Sequence, residues 1–228
     1  MAESLDRLSR DQEDLAALYK RCKFAGIRIY TLAEGWISEL HVGLKGTMGA
    51  LYLVDLAAKT HRGLRGSIKA GACAGGITYG YDVVPVPEGE DRGGRIINAV
   101  QASVVVRIHT DYANGVSPRA IAAALNREGV PGPRGGAWSQ STINGNRQRG
   151  TGILNNELYI GFLVWNRSSY VKDPDTGKRP SRLNPEDEWA VKAVPEQRIV
   201  DEDLWNRVKA RQAALDARAT PACDGSTF

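Results

Sequence analysis

The run Asp6-Arg7-Leu8-Ser9-Arg10-Asp11 contains the residue types that grip a phosphodiester. Two arginines spaced i, i+3 offer rigid guanidinium forks matched to phosphate oxygens, and the flanking acids can orient them. A second group lies far downstream. Gln140, Ser141, Thr142 and Asn144 form one short polar segment followed by Arg147 and Arg149. Amide, hydroxyl and guanidinium side chains on a short helix suit the edges of base pairs. Arg147, closing that segment, is the strongest candidate for a base contact. Arg62, Arg65, Arg119, Arg167 and Lys172 are candidates for contacts to the phosphate backbone.

Composition is compatible with such chemistry. The 228 residues carry 30 Lys and Arg against 26 Asp and Glu, a formal charge of +4. That balance favours a polyanionic partner without requiring one. The excess is local: Arg147, Arg149, Arg167, Lys172, Lys178, Arg179 and Arg182 face only Glu157, Asp173 and Asp175 over the same stretch. Cys22, Cys73 and Cys223 are odd in number, far apart and without a C-x-x-C pair. Neither a disulfide framework nor a zinc site is expected, and a reducing cytosol fits best. His41, His61 and His109 have no metal-ligand spacing and read as structural or surface residues. No apolar run approaches the ~20 residues of a membrane span, so a cytoplasmic protein is expected.

The elements that must position these residues follow from periodicity and punctuation. Leu15, Leu18 and Phe24 give Asp11–Ala25 a helical stripe, and Gly26 ends it. Ile27–Leu32 then alternates like a strand. Helix, glycine, strand is half of an α/β unit, with no preceding strand in view to carry Asp6. From about Leu44 to Ala70 a long helix follows, glycine-softened and basic at its far end. Pro85, Pro87 and Glu88–Gly94 form an exposed loop. Ile97, Val100, Val104, Ile108 and Tyr112 step as an amphipathic helix closed by Gly115. Ser117-Pro118 is an N-cap followed by proline at the first helical position, with Gly129 as the stop. Pro131, Pro133 and Gly135-Gly136 make a stiff turn, and Ser139 caps a third helix to about Asn146. Leu158–Asn166 reads as a strand interrupted by Gly161, Arg167–Pro185 as a hairpin or basic loop, and Trp189-Ala190-Val191 as the returning strand. A closing helix starts at Asp201-Glu202 with Leu204, Trp205, Val208 and Leu215 as its apolar positions. Trp138 and Trp165 are expected in the core.

Asp6-Arg7-Leu8-Ser9-Arg10-Asp11, Ala25-Gly26-Ile27 and the long helix resemble the second half of the resolvase/invertase catalytic domain of serine recombinases. Gly80-Tyr81, Ser117–Gly136, Trp138–Ile143 and Arg149–Gly161 resemble the DNA-binding domain of the large members of that family. The resemblance implies an α/β, partial resolvase-type catalytic domain with a long linker helix over 1–72. An α+β, helix-turn-helix-like DNA-binding domain would follow over 73–217; the stretch left over, 218–228, is too short and polar for a domain and is expected as a disordered tail. It implies site-specific DNA recombination without metal, ATP or other cofactor: a serine attacks the phosphodiester, and a dimer-to-tetramer assembly on double-stranded DNA exchanges the strands. Arg7 and Arg10 would clamp phosphate, and Asp6 would orient them or handle the leaving-group proton. The family's Tyr-x-Arg-x-Ser motif, which carries the nucleophile, does not occur in this sequence. The chain as written is therefore expected not to cleave DNA. The alternative to an enzyme is a non-catalytic DNA-binding remnant of a mobile-element recombinase.

Overall fold

The computed structural model describes residues 2–9, 11–73, 75–84 and 94–219. It is a mixture of helices and small antiparallel sheets, divided into two compact units, Met1–Leu64 and Arg65–Phe228.

In the first unit, α1 (Gln12–Phe24) begins where Asp11 accepts a hydrogen bond from the Glu13 N–H at 3.0 Å. Its acids lie in the first turn and Arg21 and Lys23 in the last, as the helix dipole favours. Gly26, with φ +70°, turns the chain out of the helix. The expected strand over Ile27–Leu32 contracts to β1 (Tyr30–Thr31), which pairs antiparallel with β2 (Gly35–Trp36). Among the described residues no strand precedes Asp6, and a single bridge stands in its place. Ala2 forms a parallel bridge to Thr31, with the Leu32 N–H donating to the Ala2 carbonyl at 3.0 Å and the Ala33 N–H to Glu3 at 2.9 Å. Leu5, immediately after this bridge, is fully buried and forms a small core with Leu15 and Val42. The long helix is real and starts earlier than its apolar run suggested: α2 spans Glu39–Lys69, 31 residues. Leu40, Leu44, Met48 and Leu51 on it are exposed.

The second unit has the larger core. β3 (Tyr81–Val83) and β4 (Arg95–Ile97) form a hairpin leading into α3 (Ala99–Ala113). Asn98 caps α3 by accepting from the Gln101 N–H, and its amide donates to Asp82 on β3 at 2.9 Å. Ile97 thus ends a strand instead of starting the helix, and Val100 is 77% exposed. Val105, Ile108 and Tyr112 make the buried stripe. Pro118–Arg127 is α4, capped by Ser117, and Gln140–Asn144 is α5, capped by Ser139 and shorter than the expected reach to Asn146. The supposed strand from Leu158 is replaced by a 3-10 turn, Glu157–Ile160. Only after Gly161, with φ +84°, does β5 (Phe162–Trp165) begin. β5 pairs antiparallel with β8 (Ala190–Ala193), while β6 (Ser168–Tyr170) and β7 (Ser181–Leu183) pair with each other. α6 (Glu202–Ala219) closes the unit with Leu204, Trp205 and Val208 buried, whereas Leu215 is 39% exposed. Pro85, Pro87 and most of Glu88–Gly94, with Cys223, lie outside the described residues.

One hydroxyl joins distant parts of this core. Tyr81 is 1% exposed, and its Oη donates toward the Gln197 carbonyl at 2.7 Å, with the Leu158 carbonyl at 3.2 Å. Tyr81→Phe leaves buried carbonyls short of a donor, so a loss of about 1–2 kcal/mol is expected. A urea midpoint unchanged from the parent chain would show that other donors satisfy both carbonyls.

Candidate nucleic-acid interface

The α4–α5 pair is built to hold one orientation. The Trp138 N–H donates to Asn126 Oδ1 at 2.8 Å, and Asn126 Nδ2 donates back to the Trp138 carbonyl at 2.9 Å. Trp138 Nε1 donates to the Val130 carbonyl at 3.1 Å, and its ring meets Tyr79 edge-on at 5.0 Å. The tryptophan is 3% exposed, a core anchor as expected. These bonds pin both ends of the Pro131–Gly136 turn. Ser139 Oγ then accepts from the Thr142 N–H at 3.1 Å and sits 2.8 Å from Thr142 Oγ1. Thr142 is therefore partly committed to the cap. Gln140 and Ser141 are exposed, while Ile143 is fully buried.

The segment after α5 is fixed from behind. Gly145 and Gly152 cross at their backbones, and Asn146 and Thr151 form an isolated bridge between them. Asn155, 2% exposed, has every polar position occupied. Its Nδ2 donates to the carbonyls of Asn144 (2.6 Å) and Thr151 (3.0 Å), and its Oδ1 accepts from Lys209 Nζ (3.0 Å) and Gln212 Nε2 (3.1 Å). Lys209 uses its two remaining donors on the Leu154 carbonyl and Gln212 Oε1, and its ammonium lies over the Trp205 ring at 4.3 Å. Burial pushes this lysine down to about 8, with Arg147 and Arg167 adding to the effect and Glu157 opposing it. A fully satisfied buried network rigidifies what it touches, and here it touches the exit of α5.

The predicted contact residues separate on this scaffold. Arg147 bonds the Gln212 carbonyl at 2.9 Å and pairs with Asp216, so it ties the post-α5 loop to α6. Arg149 is exposed, and its Nη2 lies 3.4 Å from the Ser181 carbonyl. Arg167 is enclosed: it pairs with Glu157 at 2.7 Å and stacks on Trp189 at 4.4 Å. Arg119 is exposed at the start of α4, Lys172 is exposed beyond β6, and Asn144 is half-buried. Arg62 and Arg65 are exposed on the last turns of α2. Sequence reasoning missed Lys209 and Gln212. Nothing local in the sequence signals the network, because Lys209 and Gln212 lie more than fifty residues beyond Asn155.

In the first unit, Asp6 lines a cavity of about 340 Å³ with Leu5, Ser9, Gln12, Lys45 and Tyr52. The Ser4 hydroxyl holds its carboxyl below the usual range, with Lys45 and Arg7 adding attraction. Arg7 is instead paired with Glu3 at 3.3 Å, both largely exposed. Arg10 lies outside the described residues. The ion pair that sequence reasoning missed is Lys45–Glu34, at 2.7 Å, with the Glu34 carboxyl also accepting from Thr31 Oγ1 at 2.6 Å. No group of three or more His, Cys, Asp or Glu side chains suited to a metal ion occurs among the described residues. No described helix is long and apolar enough to cross a membrane.

The chain belongs to the Recombinase family, whose model matches residues 99–214, from the first turn of α3 to the middle of α6. Comparison with curated proteins found no match.

Proposed function

We propose that this chain serves site-specific DNA recombination by recognising duplex DNA through α4 and α5 as a helix-turn-helix variant. The supporting observation is the division of labour at α5. Its inner residue Ile143 is buried, its outer residues Gln140 and Ser141 are exposed, and its exit is clamped by Asn155, Lys209 and Gln212. A reading helix needs that combination, since a loose mount forfeits hydrogen-bond geometry to bases. In this reading Gln140 and Ser141 contact base edges, with Thr142 and Asn144 at the margin. Arg119 and Arg149 contact phosphate. Arg147 positions the loop, and Arg167 positions β6 from its place between Glu157 and Trp189.

Residues 1–72 are assigned to the catalytic side, and 73–217 to DNA binding. Asp6, Arg7 and Arg10 are proposed as its phosphate-handling cluster, with Arg7 leaving Glu3 to engage DNA and Lys45 adding positive charge beside Asp6. The exposed apolar face of α2 around Leu44, Met48 and Leu51 suits self-association on DNA.

The test is a binding assay on the duplex that the full chain enriches from a randomised library, against a scrambled duplex. Gln140→Ala with Ser141→Ala should lose about 1–3 kcal/mol on the enriched duplex, roughly five- to a hundredfold, and little on the scrambled one. Equal losses on both would remove α5 from sequence reading. No duplex preference by the parent chain would remove the DNA-reading proposal itself.

A further inference from the structure

The β6–β7 ribbon is a built arm without a core of its own. It pairs with no other described strand, its register being Ser168↔Leu183, Ser169↔Arg182 and Tyr170↔Ser181. A three-pair ribbon in water is marginal unless something holds it, and here both ends are held. At the base, Asn166 takes a positive φ of 62° and donates to the Glu188 carbonyl at 3.1 Å. Asn184 donates to the Asn166 carbonyl at 2.8 Å and accepts, at its own carbonyl, from Trp189 Nε1 at 3.0 Å. Arg167, stacked on Trp189 and paired with Glu157, fills the space beneath. At the tip, the Asp173 carboxylate accepts from the Asp175 N–H (2.9 Å) and Thr176 Oγ1 (2.6 Å), while the Asp173 N–H donates to the Lys178 carbonyl at 2.7 Å. One of the arm's two acids is thus consumed by the turn, and its carboxyl is held below the usual range by the Thr176 hydroxyl.

What remains outward is mainly cationic, with Asp175 the one exposed acid of the arm. Lys172, Lys178, Arg179 and Arg182 are all exposed, and Tyr170 is 70% exposed beside them. The arm is also continuous with the surface proposed for α5. Arg149, three residues past the bridge at Asn146, approaches the Ser181 carbonyl at 3.4 Å, and Gly150 packs against the Arg167 side chain. Residues 168–173 span about 20 Å when extended, roughly six base pairs along a duplex axis.

We propose that the β6–β7 ribbon is a second DNA-contacting element. Lys178, Arg179 and Arg182 neutralise backbone phosphates flanking the segment read by α5, lengthening the site without adding sequence preference. This rests on the DNA-reading role of α5, and the occupant is the same duplex. Its chemistry is a row of phosphates, which matches cations carried on both strands of the ribbon and at its tip. The bases themselves are left to α5.

The experiment compares the full chain with Lys178→Gln/Arg179→Gln/Arg182→Gln on the library-enriched duplex and on a scrambled one across a salt series, with hydroxyl-radical footprints. Circular dichroism and urea melts confirm that the triple variant stays folded, all three positions being exposed. The expected result is a log K against log salt slope shallower by about 3, near 0.9 per lost phosphate contact. Protection should vanish at one flank, and the ratio of specific to scrambled binding should stay at its parent value. An unchanged slope and footprint, with the parent chain still binding the enriched duplex, overturns the ribbon's role and leaves α5 standing. A fall in the specific-to-scrambled ratio overturns it differently, because the ribbon would then read bases. Failure of the parent chain to prefer any duplex removes both proposals together.

Discussion

Gly145→Ala should disrupt the segment that follows α5 and lower the stability of the second unit by more than about 4 kcal/mol, near the upper end for a single change. A Cβ at this position would lie 1.8 Å from the Thr151 carbonyl oxygen and 2.3 Å from its carbon. Those are backbone atoms, so no side chain can swing aside. The residue also holds φ +55° and ψ −146°, a region almost confined to glycine, which alone costs an alanine about 1–3 kcal/mol. Gly152 makes the reciprocal approach, its added carbon falling 2.6 Å from the Gly145 Cα. The natural comparison is Gly177→Ala at the ribbon tip, where φ is +66° and nothing lies within 4 Å. That variant should show the conformational cost alone. Thermal melts of the two proteins separate steric exclusion from backbone strain. Equal melting temperatures would mean that the crossing relaxes at no cost.

Acidification should destabilise the second unit by about 3 kcal/mol through one residue, His109. Its ring is fully buried, its Nδ1 lies 2.9 Å from the Val105 carbonyl, and Nε2 finds no partner among the described residues. Tyr159 meets the ring edge-on and Trp205 stacks on it, both at 5.9 Å. Burial pushes the imidazole down to about 4, the Val105 carbonyl opposing and Lys209 assisting. The unfolded chain, with an ordinary value near 6.5, therefore takes up a proton first as pH falls. The stabilisation is complete above about 6.5 and is lost progressively toward 4. A difference of about 2.5 pH units at 1.36 kcal/mol each gives about 3 kcal/mol. Urea midpoints measured at intervals from pH 7 to 5 should fall steadily, and His109→Phe should flatten the curve. An equally steep curve in that variant would assign the proton uptake to another group.

Some of this fold is written locally. Ser117, Pro118 and Gly129 bracket α4 because an N-cap, a fixed φ and a left-handed exit act within a few residues of themselves. The same logic places Asp11, Gly26 and Ser139. Leu158–Ile160 misled because its leucine, tyrosine and isoleucine resemble a strand, and burial on several sides erases the periodicity that separates strand from turn. Val100 misled in the opposite way, as an apolar residue that fits the helical step and is left in solvent. The site was half visible. The polar run over Gln140–Asn144 announced itself by composition, whereas its mounting did not. Lys209 and Gln212 share a face of α6 at i, i+3, but no spacing rule links them to Asn155, which only the folded chain brings to them. Arg147 and Arg167 looked like free cations because their partners, Asp216 and Glu157, are recruited through the fold.

The Asn155–Lys209–Gln212 network also sets an order of events. Asn155 lies more than fifty residues before Lys209 and Gln212, so the loop behind α5 gains its support only when α6 has docked. A nascent chain with α4 and α5 already outside the ribosome, and α6 still within it, carries α5 without its mounting. The mounting of α5 is then completed late and in one step, so an unfinished polypeptide presents that helix without the geometry the finished unit gives it.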